Sequence, residues 1–292
     1  MVTAVGVDVG GTRIRAARIN AAGGVLARLE RPTAGTPQQV AAQIEELIRD
    51  LDDVTVAAIG VGVPGRVDIR RNRMMSGGYV DLFDVDLGDV LAKTFERPVV
   101  LDNDGNMALW AEHAIGAARL AETVVMFTIG TGIGGGILAD GKLLRGKAAA
   151  GQLGHITVDG AGLRCLCGRR GCVETTSSGT ALAGHLAQAG LPATTSVEQL
   201  LAQSRNGAAP ARSVLAAWAE PMRRAIDTAV AAFDPDVVVL GGGLGGAMHE
   251  ALAGVPAEAS WYQCPVVPAA LGDRAGVIGA GLAALCGKAP AG

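Results

Sequence analysis

Thr3-Ala4-Val5-Gly6-Val7-Asp8-Val9-Gly10-Gly11-Thr12 opens the chain with an apolar run that stops at an acid and two glycines. Residues 14–19 then alternate weakly, so the stretch reads as strand, glycine turn, strand, which is a β-hairpin. A third strand over 25–29 and a helix over 37–51 follow. Next comes a fully apolar strand over 54–63 that closes on Pro64-Gly65.

The same plan returns further on. Residues 123–129 form an apolar strand, Gly130-Thr131-Gly132-Ile133-Gly134-Gly135-Gly136 is the turn, and 137–139 starts the return strand. Gly141 turns the chain again into 142–144. Residues 210–233 have helical periodicity, with Val214, Leu215, Trp218, Met222, Ile226 and Val230 recurring at threes and fours. The buried strand over 236–240 runs into Gly241-Gly242-Gly243, and a helix over 247–253 follows. Two copies of a hairpin-first α/β unit, each with a glycine turn aimed at a cleft between them, predict the actin-like, ribonuclease-H-like duplicated fold. The expected division is a small domain of 1–106 with 275–292, and a larger one of 107–274 that includes the loop 155–174.

At 292 residues and 29.4 kDa the chain is long enough for two domains. Hydrophobic residues make up 49%, yet no apolar run is long enough to cross a bilayer, and the N-terminus lacks a basic n-region. A cytoplasmic protein that engages no membrane is the expectation. The net charge of −3 and a pI near 5.8 argue against nucleic acid as a partner. The 43 glycines gather in three turns, which suggests backbone passing close to a ligand.

Adjacent backbone N–H groups in such turns can cradle phosphate without interference from a Cβ. Asp8 beside the first turn is placed to hold Mg²⁺ directly or through water. Thr12 and Thr131 offer hydroxyls to phosphate oxygens. One such turn alone would be an ordinary hairpin; two at equivalent places in a repeat are not. Two other patterns fail. In Gly141-Lys142-Leu143-Leu144-Arg145-Gly146-Lys147-Ala148 an alanine stands where a phosphate loop needs Ser or Thr. Gly130-x-Gly132-x-x-Gly135 leads into a strand, and Gly241-x-Gly243-x-x-Gly246 has no acid at the spacing a ribose contact requires.

His155, Cys165, Cys167 and Cys172 crowd into one short stretch. Three thiolates and an imidazole fill a tetrahedral Zn²⁺ site with no vacant position, so the metal is read as structural. The strand over 99–101 ends in Asp102-Asn103-Asp104-Gly105-Asn106, with a helix expected from Met107. At least one of these residues is a helix cap. A phosphotransferase also needs a carboxylate to take the proton of the attacking hydroxyl. Asp104 is the candidate, with Asn103 as a sugar-hydroxyl ligand.

Taken together, the motifs resemble those of the ROK family of repressors, open reading frames and sugar kinases, over nearly the whole chain. Asp8-Val9-Gly10-Gly11-Thr12 is similar to that family's first phosphate motif, and 129–137 to its second. Asn103-Asp104-Gly105-Asn106 stands at the segment that carries the catalytic aspartate. His155 with Cys165, Cys167 and Cys172 matches the zinc motif. The resemblance implies sugar contacts at Gly65, Asn103, Asp104, Gln152, His155 and Glu174. It implies nucleotide and phosphate contacts at Asp8, Gly10, Gly11, Thr12, Gly130, Thr131, Gly132, Gly242 and Gly243. Three departures stand out. Gln152 replaces a glutamate, Arg13 replaces a Lys or Asn, and residues 75–82 replace a Pro-Asn-Leu-like sugar-side loop.

The implied activity is ATP-dependent phosphorylation of a hexose at its 6-hydroxyl, glucokinase-like, with ATP, Mg²⁺ and structural Zn²⁺. A homodimer or tetramer is implied. Within the same family, N-acetylmannosamine, N-acetylglucosamine, fructose or mannose are alternative substrates. A sugar-sensing repressor would place a DNA-binding segment ahead of the first glycine turn, and with Asp8 as the eighth residue of the sequence, a repressor is not expected. A sugar sensor without catalysis is the remaining rival.

Overall fold

Small and large residues alternate along the first strands, and that alternation sets which helices cover which face. The computed structural model describes residues 1–77, 80–257 and 263–286. In chain order the elements begin with β1 (Thr3–Val9), β2 (Arg13–Asn20), β3 (Val25–Pro32), α1 (Pro37–Leu51) and β4 (Val56–Val63). They continue with β5 (Arg66–Asp68), β6 (Arg73–Ser76), α2 (Leu87–Phe95), β7 (Val99–Asn103) and α3 (Asp104–Ile115). Then come β8 (Val124–Ile129), β9 (Ile133–Ala139), β10 (Lys142–Leu143), α4 (Glu174–Ser177), α5 (Gly179–Gln188) and α6 (Val197–Arg205). The last are α7 (Ala209–Phe233), β11 (Val237–Gly241), α8 (Gly245–Leu252), β12 (Val266–Pro268) and α9 (Ala275–Leu285). No helix among the described residues is long and apolar enough to cross a membrane.

The chain forms two units. One comprises Met1–Leu120, Ile137–Gly151 and Asp273–Gly292; the other comprises Ala121–Gly136 and Gln152–Gly272. The division placed at Asn106 from the sequence falls inside α3, which stays wholly in the first unit. That helix starts at Asp104 and not at Met107, because the Asn103 side chain accepts from the N–H groups of Gly105 and Asn106 and caps it. Residues 78–79, within the departing loop, and 287–292, at the expected end of the small domain, lie outside the described residues.

In the first unit the sheet order is β3-β2-β1-β4-β7, with β1 parallel to β4 and β4 parallel to β7. Val5, Val7 and Val9 of β1 and Ile59, Val61 and Val63 of β4 join one core with Val40, Ile44, Leu47 and Ile48 of α1. The opposite face carries Ala4, Gly6, Ala58 and Gly60, and there α9 lies directly on the strands. A Cβ on Gly6 would come within 2.0 Å of the Val277 carbonyl oxygen, and one on Gly60 within 1.9 Å of that of Ala280. Asp8 shares the parity of Ala4 and Gly6, so the strand delivers it to the first turn of α9. A Cβ on Gly276 would meet the Asp8 Cγ at 2.6 Å.

β7 is the edge strand, and a side chain takes the place of a neighbouring strand. Asn72 Nδ2 donates to the Val99 carbonyl at 3.1 Å, and its Oδ1 accepts from the Leu101 N–H at 2.7 Å. Asn72 has a φ of 52°, in the left-handed region that asparagine tolerates. The strand that ends in the Asp102–Asp104 stretch is thereby held on both sides.

In the second unit β8 pairs with β9 and, in parallel, with β11, and β11 pairs in parallel with β12. The hairpin-first plan of β1, β2 and β4 is thus repeated by β8, β9 and β11. β9 leaves this unit after Gly136, and its last residues pair with β10 in the first unit. Trp218, on the long helix α7, is fully buried and donates to the Ser178 carbonyl at 3.0 Å, tying α7 to the start of α5.

Candidate active site

The first unit gathers Asp8, the Gly10–Thr12 turn, Gly65, Asn103 and Asp104. The turn is closed by the Gly10 N–H donating to the Arg13 carbonyl at 3.0 Å. It is braced from β3's end by Thr33, whose hydroxyl donates to the Gly10 carbonyl at 2.7 Å and whose N–H donates to the Thr12 carbonyl at 3.0 Å. Gly11 and Thr12 are exposed. Gly65 has a φ of 97° and turns its carbonyl to Asn103 Nδ2, at 2.8 Å. Asn103 is therefore the helix cap among the four polar residues: its Oδ1 serves α3 and its Nδ2 serves Gly65.

Asp104 occupies the first position of α3, partly buried, with Oδ1 accepting from the Gly105 N–H at 2.8 Å. Loss of water around the carboxyl, reinforced by the charge of Asp8 and opposed by the Gly105 N–H, raises its pKa from 3.8 to about 7. Asp8 is raised to about 6, mainly by desolvation, with Arg15 opposing and Asp273 adding to the rise. Arg15 faces Asp8 across the β1–β2 ladder, with NH1 3.8 Å from its Oδ2. A partly exposed carboxylate at a strand end suits Mg²⁺, which takes one or two protein oxygens and keeps the rest for water and phosphate.

In the second unit the β8–β9 turn is closed by the Gly130 N–H donating to the Gly132 carbonyl at 2.9 Å. Two further segments pack on it. The Gly179 N–H donates to the Gly130 carbonyl at 2.8 Å, and the Thr180 hydroxyl donates to the Thr131 carbonyl at 2.9 Å. Gly242, at φ 76°, brings the β11–α8 turn so close that a Cβ would sit 2.4 Å from the Ile129 carbonyl oxygen. Together Gly130, Thr131, Gly179, Thr180, Gly243 and Leu244 line an open concavity of ≈ 500 Å³. Gly179 and Thr180 were not expected from the sequence. Their signal is Ser178, an N-cap whose hydroxyl accepts from the Ala181 N–H at the head of a helix.

Glu174 Oε2 accepts from the Ile133 N–H at 2.9 Å, so one oxygen fixes the start of β9. Gln152 precedes a short 3₁₀ turn and accepts the His155 N–H on its carbonyl at 3.1 Å. The ligand atoms of His155, Cys165, Cys167 and Cys172 all lie within 4.8 Å of one another. His155 Nδ1 is 3.6 Å from Cys165 Sγ, and Cys167 Sγ is 3.6 Å from Cys172 Sγ. Tetrahedral zinc with bonds of about 2.3 Å to sulfur needs ligand separations of about 3.8 Å, so the donor set fits zinc. Gly171, at φ 68°, lets the knuckle fold back; a Cβ there would lie 1.5 Å from the Asp159 carbonyl oxygen.

A hairpin-first α/β repeat with a phosphate-type glycine turn in each unit defines a phosphotransferase of the actin-like, ribonuclease-H-like class. The sequence matches the ROK family over residues 4–286, and the chain belongs to that family. It is 32% identical to a glucokinase of Thermotoga maritima, over 94% of this chain and 95% of the relative. It is 33% identical to an N-acetylmannosamine kinase of Yersinia pseudotuberculosis, over 94% and 96%. Among solved structures, a ROK family glucokinase of Streptomyces griseus in complex with glucose and AMPPNP superposes with a TM-score of 0.84 at 28% identity, covering 97% of this chain and 99% of that one. The protein is a sugar kinase.

Proposed function

We propose that this kinase transfers the γ-phosphoryl group of ATP to the 6-hydroxyl of a hexose, with glucose first among the candidates. Asp104 takes the hydroxyl proton as O6 attacks phosphorus; the bond from phosphorus to the ADP oxygen breaks, and ADP leaves. The observation that carries this reading is Asp104 itself. It is a partly exposed carboxyl at a helix start, with a pKa raised to about 7, near the range where a general base works best.

The remaining residues take roles that follow from their chemistry. Gly10, Gly11, Thr12, Gly130, Thr131 and Gly132 offer N–H and hydroxyl donors to phosphate oxygens, and Gly242 and Gly243 lie against the nucleoside. Gly65, Asn103, Gln152, His155 and Glu174 are the residues assigned to sugar contacts, on the resemblance of their motifs to the family's. Asp8 would hold Mg²⁺, which would supply charge neutralisation for the transferring phosphoryl group. His155, Cys165, Cys167 and Cys172 would hold Zn²⁺, which supplies a rigid loop and no open coordination position. A homodimer completes the proposal and is checked by light scattering on the purified protein.

ADP release with Mg-ATP across hexoses and N-acetylhexosamines, with Asp104→Asn alongside, tests the reading. One sugar far above the others and a silent variant support it. Sugar binding without turnover by the parent protein would turn the reading to a sensor.

A further inference from the structure

Asp102, one residue before the end of β7, is only 2% exposed, and its two oxygens are divided between the first turn of α3 and Arg145. Oδ1 accepts from the Asn103 N–H at 2.7 Å and from Asn106 Nδ2 at 3.1 Å, and so grips the first turn of α3. Oδ2 accepts from Arg145 Nε at 2.9 Å and lies 2.8 Å from its NH2. The Arg145 side chain is itself 9% exposed.

From there the contacts close into a ring. Arg66 donates to the Lys147 carbonyl at 3.1 Å, two residues beyond Arg145. Arg66 is bonded to Gly65, whose carbonyl accepts from Asn103 at 2.8 Å, and Asn103 is bonded to Asp102. Every link lies in the first unit. The stretch Gly141–Ala148, which fails as a phosphate loop, thus supplies the residue that completes this ring.

We infer that Arg145 is a positioning residue for Asp104, acting through Asp102; the inference rests on the reading of Asp104 as general base. Stability alone is a poor reason for such a pair, because well-packed apolar residues often serve a buried site at least as well. Arg145 holds one carboxylate oxygen through its Nε donor with the planar guanidinium charge beside it, a directional contact that the point charge of lysine does not reproduce. Direction matters here because Asp104 follows Asp102 by two residues. A base displaced by about 1 Å can lose about 100-fold in rate. Removing Arg145 also leaves an uncompensated carboxylate beside the helix start that carries the base.

The test is steady-state kinetics on Arg145→Met, Arg145→Lys and the double variant Asp102→Asn/Arg145→Met, with Asp104→Asn as control. Near-ultraviolet circular dichroism checks folding at the assay temperature. Arg145→Met should lower kcat by about 10- to 100-fold with a much smaller change in sugar KM. Arg145→Lys should recover part of that loss. The double variant should exceed Arg145→Met, because its amide oxygen still accepts from Asn103 and Asn106 and no unpaired charge remains. A folded Arg145→Met with the parent's kcat and only a lower Tm overturns the inference. If that variant does not fold, parental kcat in the double variant overturns it instead. An active Asp104→Asn overturns the base reading and this inference with it, whereas a silent Asp104→Asn beside an unimpaired Arg145→Met overturns this inference alone.

Discussion

At Asp104, a backbone N–H favours the charged carboxylate, while lost hydration and the neighbouring Asp8 favour the neutral acid. The second pair wins and sets the pKa at about 7. A base must be deprotonated to act, so kcat/KM should fall about tenfold per pH unit below that value and level off above it. Asp104→Asn should lower kcat by about 10²- to 10⁴-fold and remove this inflection, measured by ADP release between pH 5.5 and 8.5. Stability moves the other way. Between 3.8 and about 7 the folded chain keeps a proton that the unfolded chain releases. Stability from this group is therefore present at low pH and lost as pH rises through that window. Asp104→Asn is neutral throughout, so its Tm without Mg²⁺ should exceed the parent's at pH 8, with the gap narrowing as pH falls and closing only below 3.8. A Tm below the parent's at pH 8 would contradict the assigned direction. A helix start close to Asp104 was legible in the sequence because Asx residues at a strand end announce one. Arg145 was not, because its partner lies 43 residues away and no local pattern links them. Asn72, which completes the edge of β7 from a loop, was silent for the same reason.

Glycine has two separate uses among the elements, and only one leaves a local trace. The turns at Gly10–Gly11, Gly130–Gly132 and Gly241–Gly243 interrupt apolar strands, so the sequence shows both the break and its place. Gly6, Gly60 and Gly279 sit inside regular elements, where glycine costs stability unless something approaches closely. What approaches them is backbone: a Cβ on Gly279 of α9 would lie 1.7 Å from the Met107 carbonyl oxygen of α3. That contact joins distant segments, and periodicity carries no sign of it. Gly279→Ala should force the two helices apart and cost about 1–3 kcal/mol or more, in the range of overpacked cores. A lower urea midpoint at an unchanged m-value is the expected result. Because α9 also packs on Asp8 through Gly276, Asp8 should shift and activity should fall further than Tm alone accounts for. An unchanged midpoint would mean that α3 and α9 are packed more loosely than these distances imply.

Across the whole molecule the repeat was readable, because each copy announces itself locally by an apolar strand, a glycine turn and a return strand. The boundary between units was less so. β9 belongs to both units, and α3 joins the first one by packing on α9 from the far end of the chain. Within the second unit the knuckle around His155, Cys165, Cys167 and Cys172 has little regular structure of its own; two isolated bridges, Thr157 with Cys172 and Arg164 with Arg170, hold its strands together. Turn and bridge bonds such as that from the Val158 N–H to the Gly171 carbonyl close the loop, Cys165 and Cys172 are buried and Cys167 is exposed, and bound zinc is expected to add to its order. Cys167→Ser should release zinc, measured as metal per chain. Amide hydrogen exchange should then lose protection over 155–178, including the Val173 N–H that donates to the Ile156 carbonyl. Glu174 follows directly, and its bond to the Ile133 N–H should loosen, raising the sugar KM more than that for ATP. β1, β4 and β7 of the first unit should keep their protection, since their ladders pair with one another and with β2. Unchanged protection over 155–178 in the metal-free variant would show that the turn geometry at Gly168 and Gly171 suffices without zinc. Loss of protection in β1 and β4 as well would show that the metal supports the whole chain and not one loop.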